Sequence, residues 1–162
     1  RTSLKTISGR SASPRPGPSI FIAWSSVGAA IVTASAMPLE FVGWDISITS
    51  AVVTQQRFDA RDAIKTPMAV FSRDVAQAVR RFAMGLGLEG DDLPDPIAMA
   101  HAIDPSVATV ARLYVEVMPG DGPQRGAMSI DQLGSTGNTP NVDVVTDYPS
   151  DHFFSMLFDA LR

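Results

Sequence analysis

Apolar residues in the second half of the chain follow two alternating periodicities, and these limit the folds that the chain can adopt. Between 71 and 86 they recur every three or four residues, which predicts one face of a long helix. Between 111 and 117 every second residue is apolar, as in a half-buried strand. Because such patterns alternate along the chain, we predict an α/β protein.

Capping and turn residues mark the ends of these elements. Thr66 and Pro67 predict the start of the long helix, and Asp95-Pro96 opens a shorter one. The stretch 119–123, rich in glycine and proline, predicts a hairpin turn before a returning strand at 128–130. Residues 142–145 predict a further strand. The helical spacing of apolar residues between 154 and 161 predicts a final helix packed on the sheet.

Charge divides the chain into two parts. The first 39 residues hold four basic side chains and no acid, whereas residues 40–162 hold 9 bases and 17 acids. Residues 1–18, rich in Ser, Arg, Pro and Gly, predict a flexible basic arm, and residues 19–162 a single domain. The net charge of -4 argues against nucleic-acid partners. The chain starts with Arg1 rather than Met, which suggests a processed product or a fragment.

The uncharged stretch 16–39 allows several interpretations. Its apolar run after a basic lead is typical of a secretory signal or a spanning helix. The Arg- and Ser-rich start without acids also fits an organelle transit peptide. We favour a soluble helix over 27–36, capped by Ser26 and ended by Pro38, and then a strand over 39–42. With no cysteine and an acidic main body, the chain is expected to be cytoplasmic, without a membrane partner.

Six segments in a fixed order resemble the C-terminal half of the inosine-uridine preferring nucleoside hydrolases. The resemblance covers roughly residues 21–162. The segments are Val42-Gly43-Trp44-Asp45-Ile46-Ser47, Leu93-Pro94-Asp95-Pro96-Ile97-Ala98-Met99-Ala100, Ile103-Asp104-Pro105, Leu113-Tyr114-Val115-Glu116-Val117, Arg125-Gly126 and Pro140-Asn141-Val142-Asp143-Val144-Val145.

This resemblance implies an incomplete, C-terminal portion of a three-layer α/β sandwich with a mostly parallel central sheet. It also implies cleavage of the N-glycosidic bond of ribonucleosides to free base and ribose. Family members use calcium, which takes six to eight oxygen ligands and suits a chain without cysteine. By its match to the family motif, Asp95 is the predicted metal ligand.

Asp95 also has an ordinary structural interpretation. An Asp directly before Pro96 is a common helix N-cap, and the residues alone favour that role. The resemblance to the family instead favours the role of Asp95 as a metal ligand. Asp91 and Asp92 are expected to lie in a solvated loop rather than at a metal.

The general acid that many family members use is missing. Their His before the metal-binding Asp is replaced by Pro94, which has no ionisable group. Trp24 or Trp44 could activate the leaving base by stacking, although both are expected to lie in the core. His101 and His152 are expected to be structural or exposed.

The family's N-terminal aspartate cluster is also missing. No Asp-x-Asp-x-x-x-Asp-Asp run occurs in the sequence, and Ile20 and Ile22 stand where the family has Glu and Asn. Neither isoleucine can bind a ribose hydroxyl through its side chain. Ser26 stands where an Asp is typical. We therefore assign no catalytic residue.

Three hypotheses remain open. The chain is derived from a nucleoside hydrolase and is inert alone, or it is a non-catalytic remnant or subunit that binds a complementary polypeptide, or it is a secreted or anchored domain with a targeting segment at 1–36. A sheet that lacks neighbouring strands exposes an edge and an apolar face. Association, including homo-oligomerisation, is therefore expected.

Overall fold

The computed structural model describes residues 26–35 and 37–162. The predicted arm at 1–18, and with it Ile20, Ile22 and Trp24, lies outside the described residues. In chain order the elements are α1 (Ser26–Thr33), β1 (Glu40–Val42), α2 (Trp44–Ser50), β2 (Val52–Val53), α3 (Gln55–Ala63), α4 (Pro67–Gly85), β3 (Asp91–Asp92), α5 (Pro94–Ile103), a 3-10 turn (Pro105–Val107), β4 (Thr109–Val117), β5 (Met128–Asp131), β6 (Val142–Asp147) and α6 (Ser150–Leu161).

A mixed four-stranded sheet, in the order β1-β6-β4-β5, lies at the centre. β1 pairs with β6 in parallel, while β4 pairs with β6 and with β5 in antiparallel fashion. The α/β class is confirmed. The resemblance implied a mostly parallel sheet, but the described part is mixed, with one parallel pair and two antiparallel pairs. One antiparallel pair follows from the β4–β5 hairpin, with Val117 opposite Met128, because a hairpin can join only antiparallel strands.

Helices cover both faces of this sheet, which gives three layers. On one face α1 packs over a cluster that includes Leu39, Val115 and Val142. On the other face α2, α5 and α6 enclose a larger cluster around Ile97 and Phe153. The expected strands at 111–117, 128–130 and 142–145 and the final helix are all present.

The stretch before β1 forms a helix followed by a strand, as expected. The bounds differ from the prediction, because Ser26 is the first residue of α1 rather than its cap and the helix ends at Thr33, before Pro38 is reached. β1 begins at Glu40. Among the described residues no helix is long and apolar enough to cross a membrane.

The Asn141 side chain connects α1 to the sheet. The β4–β6 ladder ends where Leu113 faces Val142. The Asn141 amide then continues it, because its Oδ1 accepts from the Val115 N–H at 2.8 Å and its Nδ2 donates to the Val115 carbonyl at 2.9 Å. Nδ2 also donates to the Thr33 carbonyl at the end of α1, at 2.9 Å. One side chain therefore satisfies three backbone groups.

The long helix α4 begins where the sequence predicts. The Thr66 hydroxyl accepts from the Ala69 N–H at 3.2 Å as an N-cap and donates to the Leu161 carbonyl at the end of α6. However, α4 buries small residues, Ala69 and Ala83, against the body. A row of large apolar residues along α4 and its C-cap, here called the α4 stripe, is exposed instead, and it consists of Met68, Phe71, Val75, Val79, Phe82 and Leu86.

An arginine–aromatic contact holds α4 against α3. The guanidinium of Arg80, on α4, lies 3.9 Å from the centre of the Phe58 ring of α3, and that of Arg61, on α3 itself, lies 4.9 Å from the same ring. Arg61 is only 5% exposed, and this burial lowers the pKa of its guanidinium. The contact between α3 and α4 therefore includes a cation stacked on an aromatic ring.

Removing the Asn141 amide is expected to destabilise the fold. Asn141→Ala leaves three backbone groups unpaired, and each costs about 1–3 kcal/mol when it is buried. Because water reaches this half-buried site, we expect a total loss of about 2–4 kcal/mol in the free energy of unfolding, measured by urea denaturation. Asn138→Ala, at an exposed loop position, is the matched control and should change stability by less than about 0.5 kcal/mol. Equal stability of the two variants would contradict the role of Asn141.

Candidate functional site at the carboxyl end of β1

The carboxyl end of β1 lies where a ligand site is expected in an α/β sheet. β1 and β6 run in parallel, and ligands bind outside the carboxyl ends of parallel strands. Gly43 follows β1 directly and occupies the N-cap of α2. A Cβ at Gly43 would lie 2.1 Å from Asp45 Oδ1, so a larger residue here would displace the Asp45 side chain. The turn places Trp44 at the first position of α2.

The short strand β3 carries two aspartates beside this turn. Asp91 and Asp92 pair with Val53 and Val52 of β2. At Gly90 a Cβ would lie 2.2 Å from the Val53 carbonyl oxygen, so only glycine allows the two segments to approach. The expectation of a solvated loop at 91–92 is therefore wrong, because β2 satisfies this backbone.

The two aspartates have different partners. Asp91 is 3% exposed, and its Oδ1 lies 3.4 Å from Arg80 Nη1. Asp92 Oδ2 accepts two hydrogen bonds, from Trp44 Nε1 at 2.6 Å and from the Ser47 hydroxyl at 2.6 Å. Asp91 therefore anchors α4 to β3, while Asp92 fixes the first turn of α2.

Trp44 is not a core residue, contrary to the sequence-based expectation. It is 71% exposed. Its indole N–H is satisfied by Asp92, which lies 48 positions later in the chain. The ring is therefore held in one orientation while most of its surface remains open to solvent.

Asp95 lies in the first turn of α5, three residues after Asp92. It is the second residue of the helix and is exposed. The N-cap is Leu93, so the capping role considered for Asp95 is wrong. A carboxylate in the first helical turn is favoured by the helix dipole, and its exposure leaves it accessible to a cation. Its role as a metal ligand stays a prediction.

Neither histidine lies at this site. His101 is buried, and its Nε2 lies 2.8 Å from Glu40 Oε2, so it ties α5 to β1. His152 Nε2 lies 3.1 Å from Asp104 Oδ2. Hydrogen bonds from Ser106 lower the pKa of Asp104. Both imidazoles have structural partners, in agreement with the sequence-based expectation.

A separate cavity of about 480 Å³ lies between α1 and the sheet. At its rim Arg125 Nε donates to the Ser26 hydroxyl at 3.1 Å, which links two positions singled out from the sequence. Trp44, Asp92 and Asp95 do not line this cavity. Its apolar lining consists of Ala29, Val32, Leu39, Phe41, Val115, Val117, Met128 and Val142.

The sequence did not reveal the group of Trp44, Ser47 and Asp92. Only the spacing of Trp44 and Ser47, one helical turn apart, was visible as a local signal. Their contact with Asp92 depends on the pairing of β2 with β3, and each of these strands has only two residues.

The family model described as inosine-uridine preferring nucleoside hydrolase matches residues 22–155. The chain belongs to this family. Hydrolysis of ribonucleosides is the activity of the family. The predicted family membership is therefore confirmed over most of the domain.

The two nucleoside hydrolases described next match this chain over less than half of their own length. The pyrimidine-specific ribonucleoside hydrolase RihB of Escherichia coli O17:K52:H18 is 24% identical over 135 residues, which are 83% of this chain and 43% of that protein. The structure of a purine-preferring ribonucleoside hydrolase from Gardnerella vaginalis superposes with a TM-score of 0.67 at 21% identity, over 82% of this chain and 42% of that one.

A plant nucleoside hydrolase, the PpNRh1 enzyme, superposes with a TM-score of 0.73 at 19% identity, over 82% of this chain and 44% of that one. These similarities confirm the fold. The chain spans about two fifths of the length of these three relatives.

The described residues do not form a calcium site by themselves. Nucleoside hydrolases bind a metal, and calcium needs six to eight oxygens. Within 26–35 and 37–162, no three His, Asp or Glu side chains come together as a ligand group. Asp95 could supply one carboxylate, and the remaining ligands would have to come from elsewhere.

Calcium binding by the 162-residue chain is expected to be weak. A single exposed carboxylate cannot replace the hydration shell of the ion, so isothermal titration should show no saturable binding at micromolar calcium. Asp95→Asn should give the same titration as the native chain. Saturable binding that Asp95→Asn abolishes would contradict this prediction.

Proposed function

We propose that the chain provides the C-terminal portion of an enzyme that hydrolyses the N-glycosidic bond of ribonucleosides to free base and ribose. The observation that carries the proposal is the family match over residues 22–155, together with a nucleoside hydrolase fold. Asp95 is proposed to contribute one carboxylate to a metal site that other residues complete. The named relatives differ in base, so the proposed substrate is a ribonucleoside without a specified base.

The chemistry explains why this portion should be inert alone. Cleavage passes through an oxocarbenium-like ribosyl state and needs an activated water and a means of neutralising the departing base. Pro94 offers no proton, and His101 and His152 are held by Glu40 and Asp104. Because the described residues do not complete a metal site, we assign no hydrolytic step to them.

The isolated chain is expected to show no turnover of inosine or uridine. Release of free ribose, followed by a reducing-sugar assay at saturating calcium, should equal that of a heat-denatured sample. Addition of a polypeptide that supplies the N-terminal portion of a relative should restore activity, and Asp95→Ala should then reduce it by at least about 100-fold, in line with the cost of losing transition-state interactions. Asp121→Ala, at an exposed loop position, is the matched control. Turnover by the chain alone would contradict the proposal.

A second candidate function is that of a non-catalytic subunit that binds another polypeptide. The observation that favours it is the α4 stripe. Phe71, Val75 and Phe82 are 65%, 62% and 69% exposed. Monomeric proteins seldom expose contiguous apolar rows of this length, and such rows mark interaction surfaces.

Association through the α4 stripe is expected to depend on its aromatic residues. Light scattering coupled to size exclusion should show concentration-dependent association of the native chain. Phe71→Ser combined with Phe82→Ser should shift it to the monomer, because about 2 kcal/mol of burial is lost for each ring. Gln77→Ser, an exposed polar position on the same helix, should leave association unchanged. A native chain that stays monomeric would contradict self-association through the stripe.

We further propose a cytoplasmic location, because a chain without cysteine and with an acidic main body suits that compartment. We also propose that the chain forms homo-oligomers through the α4 stripe.

A further inference from the structure

Most of the wall of the cavity between α1 and the sheet is apolar. Its volume is about 480 Å³, and the segment entering β1, β4 and β6 all contribute buried side chains to it, among them Leu39, Val115 and Val142. Protein interiors seldom leave so large an apolar space unfilled. The described residues leave it open, so a further segment of matching chemistry is needed to fill it.

The helix beside the cavity lacks a polar face. α1 carries no charged residue, and Val27 and Ile31 are 49% and 66% exposed. A helix that is hydrophobic all round is normally buried. This side of the fold therefore has the composition of an interior rather than of a surface.

We propose that residues 19–24, which lie directly before α1 in the chain, fold back over this cavity and fill it with apolar side chains. The segment reads Ser19-Ile20-Phe21-Ile22-Ala23-Trp24. The contact lies within one chain and is independent of the proposed function. It gives the uncharged stretch before β1 a role in the core of the domain, and it gives Trp24 the core position that the sequence predicts.

Covalent continuity favours this segment over a separate polypeptide. Ser26 lines the cavity, and its hydroxyl accepts from Arg125 Nε at the rim, so the chain enters α1 at the mouth of the cavity. Six extended residues span about 20 Å, which is enough to cross a space of this volume. A tethered segment is present at a roughly millimolar effective concentration, whereas a second polypeptide must first be captured from solution.

The segment also matches the cavity in polarity and in size. No residue between 16 and 39 is charged, so the segment brings no unpaired charge into an apolar space. A cavity of about 150 Å³ holds one benzene ring, so the present volume has room for about three large side chains. Ile20, Ile22 and Trp24 alternate along the chain, and an extended segment would direct all three to the same side.

The charge of the flanking arm favours the same arrangement. Residues 1–18 carry four bases and no acid, whereas residues 40–162 carry 9 bases and 17 acids. Opposite net charges attract the arm to the body, most strongly at low salt. The segment between them is therefore held close to the cavity.

Cross-linking between introduced cysteines tests the contact directly. Because the chain has no cysteine, each introduced pair is unique. Ile22→Cys combined with Met128→Cys, on the cavity wall, should give an intramolecular cross-link with a short bis-maleimide reagent at low protein concentration, identified by mass spectrometry. Ile22→Cys combined with Phe71→Cys, at an exposed position of α4, is the matched control and should give none.

The fluorescence of Trp24 gives a second readout that needs no cross-link. In the Trp44→Phe variant, Trp24 is the single tryptophan. Its emission should be blue-shifted and less quenched by acrylamide than in the urea-unfolded chain. Adding Met128→Asp should shift the emission back towards the unfolded value, because a charge then enters the cavity. Met118→Asp, at an exposed methionine that does not line the cavity, should leave the emission unchanged, and circular dichroism should show that each variant folds.

The outcomes separate the possible occupants of the cavity. An intramolecular cross-link together with a protected Trp24 supports the proposal. A cross-link that forms only between two chains shows that a second copy fills the cavity, and it overturns the intramolecular contact. A Trp24 as accessible as in the unfolded chain, or a folded I22C/M128C variant without a cross-link, also overturns the contact and leaves the cavity to another polypeptide. Neither measurement depends on turnover, so a failure of the proposed hydrolase leaves both results unchanged.

Discussion

The backbone-like hydrogen bonds of the Asn141 side chain hold the layers of this fold together. β6 does not extend far enough to pair with Val115, and the Asn141 amide takes the place of the missing strand residue. Because the same side chain also binds the Thr33 carbonyl, α1 is fixed to the sheet at its C-terminal end. An amide can do this because it carries both a donor and an acceptor in the geometry of a peptide group.

Local patterns predicted the elements well where the periodicity was long. The alternation at 111–117 and the cap at Thr66 both correspond to elements of the structure. The same patterns could not show which face of a helix would meet the body. In α4 the row that contains Phe71 and Val75 predicted one apolar face of a helix, yet the helix packs through Ala69 and Ala83. Side-chain size at the contact, rather than hydrophobicity, determined how closely the helix could approach.

The candidate site was predictable only in part. A match to the family motif singled out Asp95, and the structure leaves it accessible at the start of α5. The fixed orientation of Trp44 could not be foreseen, because it needs Asp92 to arrive from a strand of two residues. Such a strand has no periodicity, and its position depends on the close contact of Gly90 with Val53. Sequence therefore indicates the chemistry of single residues more readily than it indicates which residues come into contact in the fold.

The alanine contact of α4 also has a mechanical consequence. Because the helix approaches the body through Ala69 and Ala83, a larger side chain at either position would push the helix outward. Thr66 ties the start of the helix to the end of α6, and Arg80 ties the helix to Asp91. These two polar attachments would therefore be stretched before the central sheet is disturbed.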